Sequence, residues 1–257
     1  MGRITEALKA TLAASLLLLV FAGAQPASAN VGVDGSVTYV TRYIWRGQDL
    51  LPNNDGAIQP SLTLGLPGSL SLNMWGSYGI GGPNEKDELD ELDFTLSYSG
   101  AITKYIEYTL GHTYYTFHTA GPDESQETFA GVSFKTFLNP SLTLYGDWGS
   151  DVSRGYYLLA SASHDFSLGW GIKNVAPALT LSVSAGYSDG QWSMEPDLSD
   201  LNIGLALPIK AGVFTIKPSV TYTYVPDKAS VYSGESSPPK PNVSDEIWGG
   251  VAFEFGF

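Results

Sequence analysis

The chain has 257 residues, no cysteine, and 13 basic against 26 acidic side chains, for a net charge of −13. Without cysteine there is no disulfide framework and no lipid-anchored cysteine. The acidity argues against a phosphate backbone as partner, so no nucleic-acid binding is expected. With 29 glycines, 12% aromatics and only 15% charged residues, the chain is also unlike a disordered acidic polymer.

The first segment reads as an address. Arg3 and Lys9 form a basic start, Leu12–Ala24 (LAASLLLLVFAGA) an apolar run, and Ala27-Ser28-Ala29 the small-x-small pattern of a signal-peptidase site. The run is shorter than the roughly 20 residues a membrane-spanning helix requires. Residues 1–29 are therefore expected to be a cleaved secretory signal peptide, and 30–257 one domain with 11 basic and 25 acidic residues.

From there period-two alternation dominates, the mark of strands with two unlike faces. Twelve candidate strands follow, near 35–46, 57–66, 69–79, 91–98, 105–117, 127–135, 141–148, 155–166, 178–187, 199–207, 213–225 and 246–257. The first contains SVTYVTRYIWRG, in which Tyr39, Tyr43 and Trp45 share one face and Arg42 and Arg46 the other. Late in the chain, Phe214, Ile216, Val220, Tyr222 and Tyr224 alternate with Thr215, Lys217, Ser219, Thr221 and Thr223.

The connections alternate in length. Pro67–Gly68, Ser99–Thr103, Thr136–Pro140 and Pro208–Gly212 are short, with Ser167–Pro177 the one longer member of that set. Between them lie Gly47–Gly56, Gly81–Asp90, Thr119–Gln126, Gly149–Arg154, Ser188–Leu198 and Pro226–Asp245. Lys104, Lys135, Lys173 and Lys210 lie at or beside the short set, whereas the long set holds most carboxylates, among them Glu85, Asp87, Glu88, Asp90, Asp123, Glu124, Glu195, Asp197 and Glu235. A secreted sandwich or lipocalin-like barrel has no reason to divide charge in this way. An outer-membrane barrel, with brief periplasmic turns and extended outer loops, does. The ending Val251-Ala-Phe-Glu-Phe-Gly-Phe257 alternates and closes on an aromatic, the form of signal that barrel-assembly machinery reads. The expected fold is all-β: a transmembrane antiparallel barrel of about 12 strands in the bacterial outer membrane, with lipid and lipopolysaccharide as neighbours.

In such a barrel apolar faces meet lipid and polar faces line the interior. Tyr39, Tyr43 and Trp45 are then expected to be lipid-facing or interfacial anchors. The pore-lining candidates are Arg42, Arg46, Gln59, Asp93, Glu107, Glu127, Lys217 and Glu254, with Asn73, Trp75, Lys135 and Asp147 on the same faces. Charged rings of this kind set ion selectivity. Twelve strands fall between side-chain-filled barrels and sixteen-strand open porins, so a narrow hydrated lumen passing small polar or charged solutes is expected. The alternative is a closed structural or surface-ligand-binding barrel without channel activity.

Catalysis is not expected. The histidines are His112, His118 and His164; His164 and Asp165 are neighbours on opposite strand faces, and Ser161 and Ser163 lack a Gly-x-Ser-x-Gly elbow. His112 lies in line with Tyr108, Leu110 and Tyr114, the lipid or interface side, but no nucleophile matches it. The spacing of Glu85–Glu91 lacks the ligand positions of an EF-hand loop, and no metal or cofactor is expected.

Several stretches together resemble a known group. Tyr43-Ile-Trp-Arg-Gly47, Ala57-Ile-Gln59, Met74-Trp-Gly-Ser77, Glu91-Leu-Asp-Phe94 with Tyr98-Ser-Gly100, and Gly111-His-Thr-Tyr-Tyr115 are similar to the TorF-type family of porin-like proteobacterial outer-membrane proteins. Phe129-Ala-Gly-Val-Ser133, Gly155-Tyr-Tyr-Leu158, Ala160-Ser-Ala-Ser163 and Gly186-Tyr-Ser-Asp-Gly190 extend the likeness over nearly the whole of 30–257. Trp45 departs from the Phe or other aromatic usual in that family, and Gly56 stands where a proline is expected before Ala57. The resemblance implies an outer-membrane barrel and makes Arg46 the matched position for a pore role. It implies no particular solute.

Overall fold

A computed structural model describes residues 25–26, 32–82, 87–118, 124–149, 153–169, 175–194, 196–226 and 244–257. Nearly all of the expected signal segment lies outside the described residues, as do 83–86, 119–123 and 227–243 within three of the long connections.

Among the described residues twelve long strands form one closed antiparallel sheet. They are β1 (Val33–Val40), β2 (Gly56–Leu66), β3 (Leu70–Ile80), β4 (Glu88–Thr103), β5 (Ile106–Phe117) and β6 (Glu124–Phe134), followed by β7 (Ser141–Asp147), β8 (Gly155–Ser167), β9 (Val175–Asp189), β10 (Asp197–Ala206), β11 (Phe214–Tyr224) and β12 (Glu246–Gly256). Each pairs with the next, and β12 returns to β1 through pairs such as Ala252↔Thr38, so the sheet has no open edge. Closure removes the unpaired backbone that a membrane would not tolerate. Two short pieces ride on the ring: Ile209–Ala211 extends the wall between β9 and β11, and Gln25–Pro26 pairs with Gly100 and Ala101 of β4.

The burial pattern is the reverse of a water-soluble barrel. Val37, Leu96 and Ile203 are each 50% exposed on the outer wall, and Phe253 is 52% exposed. The buried side chains are mainly polar, among them Asp49, Ser125, Glu127, Asp147, Ser188, Gln191 and Asp200. An apolar outer face with a polar interior is the arrangement in which strands bury apolar area against lipid rather than against one another. Inside, hydroxyls bridge neighbouring strands: Ser71 to Ser97 at 2.7 Å, Thr95 to Thr113 at 2.9 Å and Ser141 to Ser161 at 2.7 Å. Asn73 Nδ2 donates to Ser61 Oγ at 2.9 Å and Thr63 Oγ1 at 2.8 Å.

The first strand is shorter than its alternation predicts. β1 stops at Val40, the chain bends at Thr41 and Arg42, and Ile44–Trp45 pairs back on Gln48–Asp49. Arg46 and Gly47 are the two turn residues, with φ of 49° and 83°. Positive φ at both central positions is the requirement of a type I′ two-residue hairpin, which Gly meets without steric cost. This small hairpin departs from the wall.

Candidate functional site

In a ring of twelve strands, β7 stands opposite β1 and β8 opposite β2. The hairpin belongs to the β1–β2 connection, yet its turn residue is bonded to the far side. Arg46 Nη1 donates to Glu127 Oε2 at 2.8 Å and Nη2 to Oε1 at 3.1 Å, with Glu127 on β6. The hairpin therefore crosses the bore at the long-loop end.

The partners leave no lone pair of that carboxylate idle. Tyr115 donates its hydroxyl to Glu127 Oε1 at 2.9 Å, and Gln191 Nε2 donates to Oε2 at 2.7 Å. Arg46 Nη1 also donates to Gln191 Oε1. The guanidinium carbon lies 4.3 Å from the centroids of the Trp45 and Tyr157 rings and 4.7 Å from that of Tyr145. Side-chain exposure is 7% for Arg46 and 1% for Glu127, so water reaches this pair hardly at all. A buried ion pair is tolerable only when geometry and extra hydrogen bonds offset the loss of water, and both conditions hold. Trp45 meets Trp192 edge-on at 5.9 Å, and Phe117 meets Trp192 at 5.4 Å, so aromatic rings close much of the remaining space.

A second contact holds the hairpin base. Tyr43 donates to Glu91 Oε2 at 2.8 Å and packs its ring 5.6 Å from Trp75. Burial first, and then the Glu91 carboxylate, push the Tyr43 phenol well above its ordinary range. Arg42 Nη1 donates to the Pro52 carbonyl at 2.9 Å and lies 3.5 Å from Asp49 Oδ2, which ties the loop to itself. Asp49 is fully buried, and burial raises its carboxyl to about 6 against the opposing pull of the Leu51 amide and Arg42.

Two bulges feed the same region. The β3–β4 register shifts at Ser77/Tyr78, and Asp90 and Glu91 are both buried. The β9–β10 register shifts at Gly186/Tyr187, with the same result for Ser199 and Asp200. A bulge adds one residue to one strand and re-aims its neighbours. Beside Glu91, the buried atoms Asp93 Oδ1 and Ser77 Oγ have no hydrogen-bond partner among the described residues.

Toward the short-turn end the bore opens. A cavity of about 510 Å³ there is lined by Ser36, Ser61, Thr63, Thr215, Lys210 and Glu254, among others. Glu254 pairs with Lys217 at 2.5 Å, and Glu107 with Lys135 at 2.6 Å, all four partly exposed.

Six of the eight expected pore-lining residues thus fall into two groups, and Arg42 stays in the loop against Asp49 and the Pro52 carbonyl. Lys217, Glu254 and Glu107 belong to the open end, whereas Asp93, Glu127 and Arg46 lie in the buried plug; Gln59 stands on β2 opposite Thr38 with its Nε2 buried. Arg42 and Arg46 are not on a strand face, because β1 has ended before them. Tyr39 is 40% exposed on the outer wall as expected, but Tyr43 and Trp45 turn inward and contact Glu91 and Trp192. Within the expected loop Glu85–Glu91, residues 85–86 lie outside the described residues, while Glu88 onward is strand and Asp90 and Glu91 are buried. Strand alternation also missed Tyr115, Tyr145, Tyr157, Gln48, Asp49 and Gln191 as members of the plug. A signal for part of it was present: Asp189-Gly190 is a turn dipeptide, and Gly190 has φ 78°.

A model of the family described as "Bacterial protein of unknown function (Gcw_chp)" matches residues 24–248. No curated protein matches the chain. Among solved structures, LpxR from Salmonella typhimurium is similar at 9% identity and TM-score 0.49, over 87% of this chain and 99% of that one. The NanC porin is similar at 12% identity and TM-score 0.49, over 87% and 98%. OpdL of Pseudomonas aeruginosa is similar at 14% identity and TM-score 0.34, over 86% and 74%. The architecture given above rests on the register of the chain's own strands.

Proposed function

The chain belongs to the Gcw_chp family, and we propose that it is a narrow outer-membrane channel for small polar or charged solutes, constricted at its outer mouth by the Arg46 hairpin. The observation that supports this most directly is the change of lining along the bore. Small hydroxyls, glycines and paired charges line one end, and the barrier at the other is a connecting loop folded inward. A loop held by a few polar contacts is a barrier that can be altered without dismantling the wall. Passage is diffusion through the hydrated part of the lumen, with wall charges biasing which ions enter.

The same reading places the long-loop end outside the cell and the short turns in the periplasm, as in other outer-membrane barrels. It agrees with the resemblance to the TorF-type family, and it assigns no chemistry to the histidines. Lipopolysaccharide is the outer-leaflet neighbour, and the assembly machinery engages the strand ending in Phe257. Release of fatty acid from detergent-dispersed phospholipid, lost in His112→Ala, would overturn the non-enzymatic part.

One observation favours a second reading. The near-complete burial of Arg46 and Glu127 fits a barrel that stays shut and serves the envelope structurally. Planar-bilayer recording separates the two. Wild-type protein is expected to give a small conductance that rises several-fold in Arg46→Ala. Silence from both, with each protein folded by heat-modifiable gel mobility, leaves the closed barrel.

A further inference from the structure

The groups that hold the Arg46 guanidinium belong, Trp45 apart, to the wall or to the connection after β9. Tyr115 is on β5, Glu127 on β6, Tyr145 on β7 and Tyr157 on β8, and Gln191 follows β9. These groups are kept in place without help from the hairpin. Tyr145 pairs with Tyr157 across β7 and β8, with ring centroids 6.1 Å apart. Tyr157 donates to Asp200 Oδ1 at 2.8 Å, and Asp200 is itself fixed by Ser199 Oγ at 2.7 Å and Asn202 Nδ2 at 2.7 Å. Tyr145 packs 5.6 Å from Phe129, and Tyr115 stacks on Phe117 at 6.1 Å with planes 7° apart. A site whose partners are ordered beforehand loses less on binding.

What this wall recognises is a guanidinium group. Glu127 takes it through both oxygens, the planar fork geometry that an ammonium cannot copy. The Tyr145 and Tyr157 faces add cation–π attraction. The surroundings select the same sign of charge, because Glu91, Asp93, Asp147 and Asp200 are buried around the plug, an excess of carboxylates over the two hairpin arginines. The hairpin, in contrast, delivers its group at a cost. Arg46 has φ 49°, a left-handed backbone that is unfavourable for a residue with a Cβ.

We propose that Glu127, Tyr115, Tyr145, Tyr157 and Gln191 form a receptor site for a small guanidinium-bearing solute, and that Arg46 occupies it as a tethered stand-in while the bore is closed. A free guanidinium that takes the Glu127 carboxylate and the two tyrosine faces replaces the Arg46 side chain group for group, and the hairpin is then released from the far wall. Binding at this site does not depend on conduction. That the bound cation is also one the barrel passes rests on the channel function proposed above.

The test is chemical complementation. Arg46→Ala empties the site and leaves its wall groups intact. Methylguanidinium at low millimolar concentration should raise the urea midpoint of this variant in vesicles, recovering about half or more of what the substitution removed, because a ligand bound only by the folded state stabilises it. Methylammonium, which brings the same charge without the fork, should recover far less. Adding Glu127→Gln to Arg46→Ala should abolish the recovery. Should Arg46→Ala fail to show folded gel mobility, the chain with residues 43–50 replaced by a Gly-Ser linker takes its place. Calorimetric titration of that chain with methylguanidinium should then show binding that Glu127→Gln removes. No recovery or binding, an equal response to both cations, or a response that survives Glu127→Gln would overturn the proposal. Bilayer conductance of Arg46→Ala, expected to fall as methylguanidinium fills the site, reports on the channel separately, so silence there with the recovery intact counts only against the channel.

Discussion

Arg46 concentrates several demands on one side chain: a left-handed backbone, a bidentate carboxylate and three aromatic faces. Removing it strands the buried Glu127 carboxylate, and loss of one partner from a buried pair typically costs about 3–5 kcal/mol. Arg46→Ala is therefore expected to lower the urea midpoint for unfolding from lipid vesicles by a corresponding amount. Glu127→Gln with Arg46→Met should recover much of that loss, since no lone charge remains. Gly47 shares the turn at φ 83°, and a Cβ there would come 3.1 Å from the Ser199 carbonyl. Gly47→Val should cost about 1–3 kcal/mol by the same measurement. Asp49 gives a pH signature. Its carboxyl is raised by burial to about 6 in the folded chain, against 3.8 ordinarily. The folded state thus binds the proton more tightly than the unfolded one, and stability falls as pH rises from about 4 through 6. In Asp49→Asn that decline should vanish from the urea midpoint measured at pH 4 and pH 7. An unchanged decline would mean that other groups cause it.

At the scale of elements, the hairpin and the walls are separable. β1 and β2 pair from Val33↔Leu64 to Val40↔Ala57 without using any residue of the hairpin. Replacing residues 43–50 by a short Gly-Ser linker should leave the heat-modifiable barrel intact and raise single-channel conductance several-fold. Retained closure would show that the walls, not the hairpin, block the bore. The bulges explain why the wall is polar where the hairpin docks. In strict alternation one of Asp90 and Glu91 would face lipid, and the shift at Ser77/Tyr78 spares that exposure. All twelve strands were legible from alternation because lipid and lumen impose opposite chemistry on successive residues. The end of β1 was not, since Arg42, Tyr43, Ile44 and Trp45 continue the alternation into a segment that has left the sheet.

For the whole molecule, the decisive property is that burial is inverted. Val183 is 46% exposed on the outer wall, and its neighbour Ser184 faces inward and accepts from Asn202 Nδ2 at 3.1 Å. Val183→Arg should cost about 2–4 kcal/mol of folding free energy in vesicles, the depth-dependent penalty for a basic residue in hydrocarbon. Ser184→Arg should cost much less, because the lumen is polar. Equal penalties would contradict the assignment of the two faces.

Sequence alone determined what depends on nearest neighbours in a strand and on the solvents at its two faces. That covers the twelve strands, the long and short connections and the apolar outer faces. What the tertiary structure decided is where a loop goes once it leaves the wall. Whether Arg46 lines a pore or crosses it depends on Glu127, 81 residues away, and on Gln191, 145 residues away. Those partners come together only when the sheet closes and brings β6 and the 190–194 segment opposite the β1–β2 connection. Alternation carries no information about that distance, because it repeats every two residues and the closure involves the whole ring.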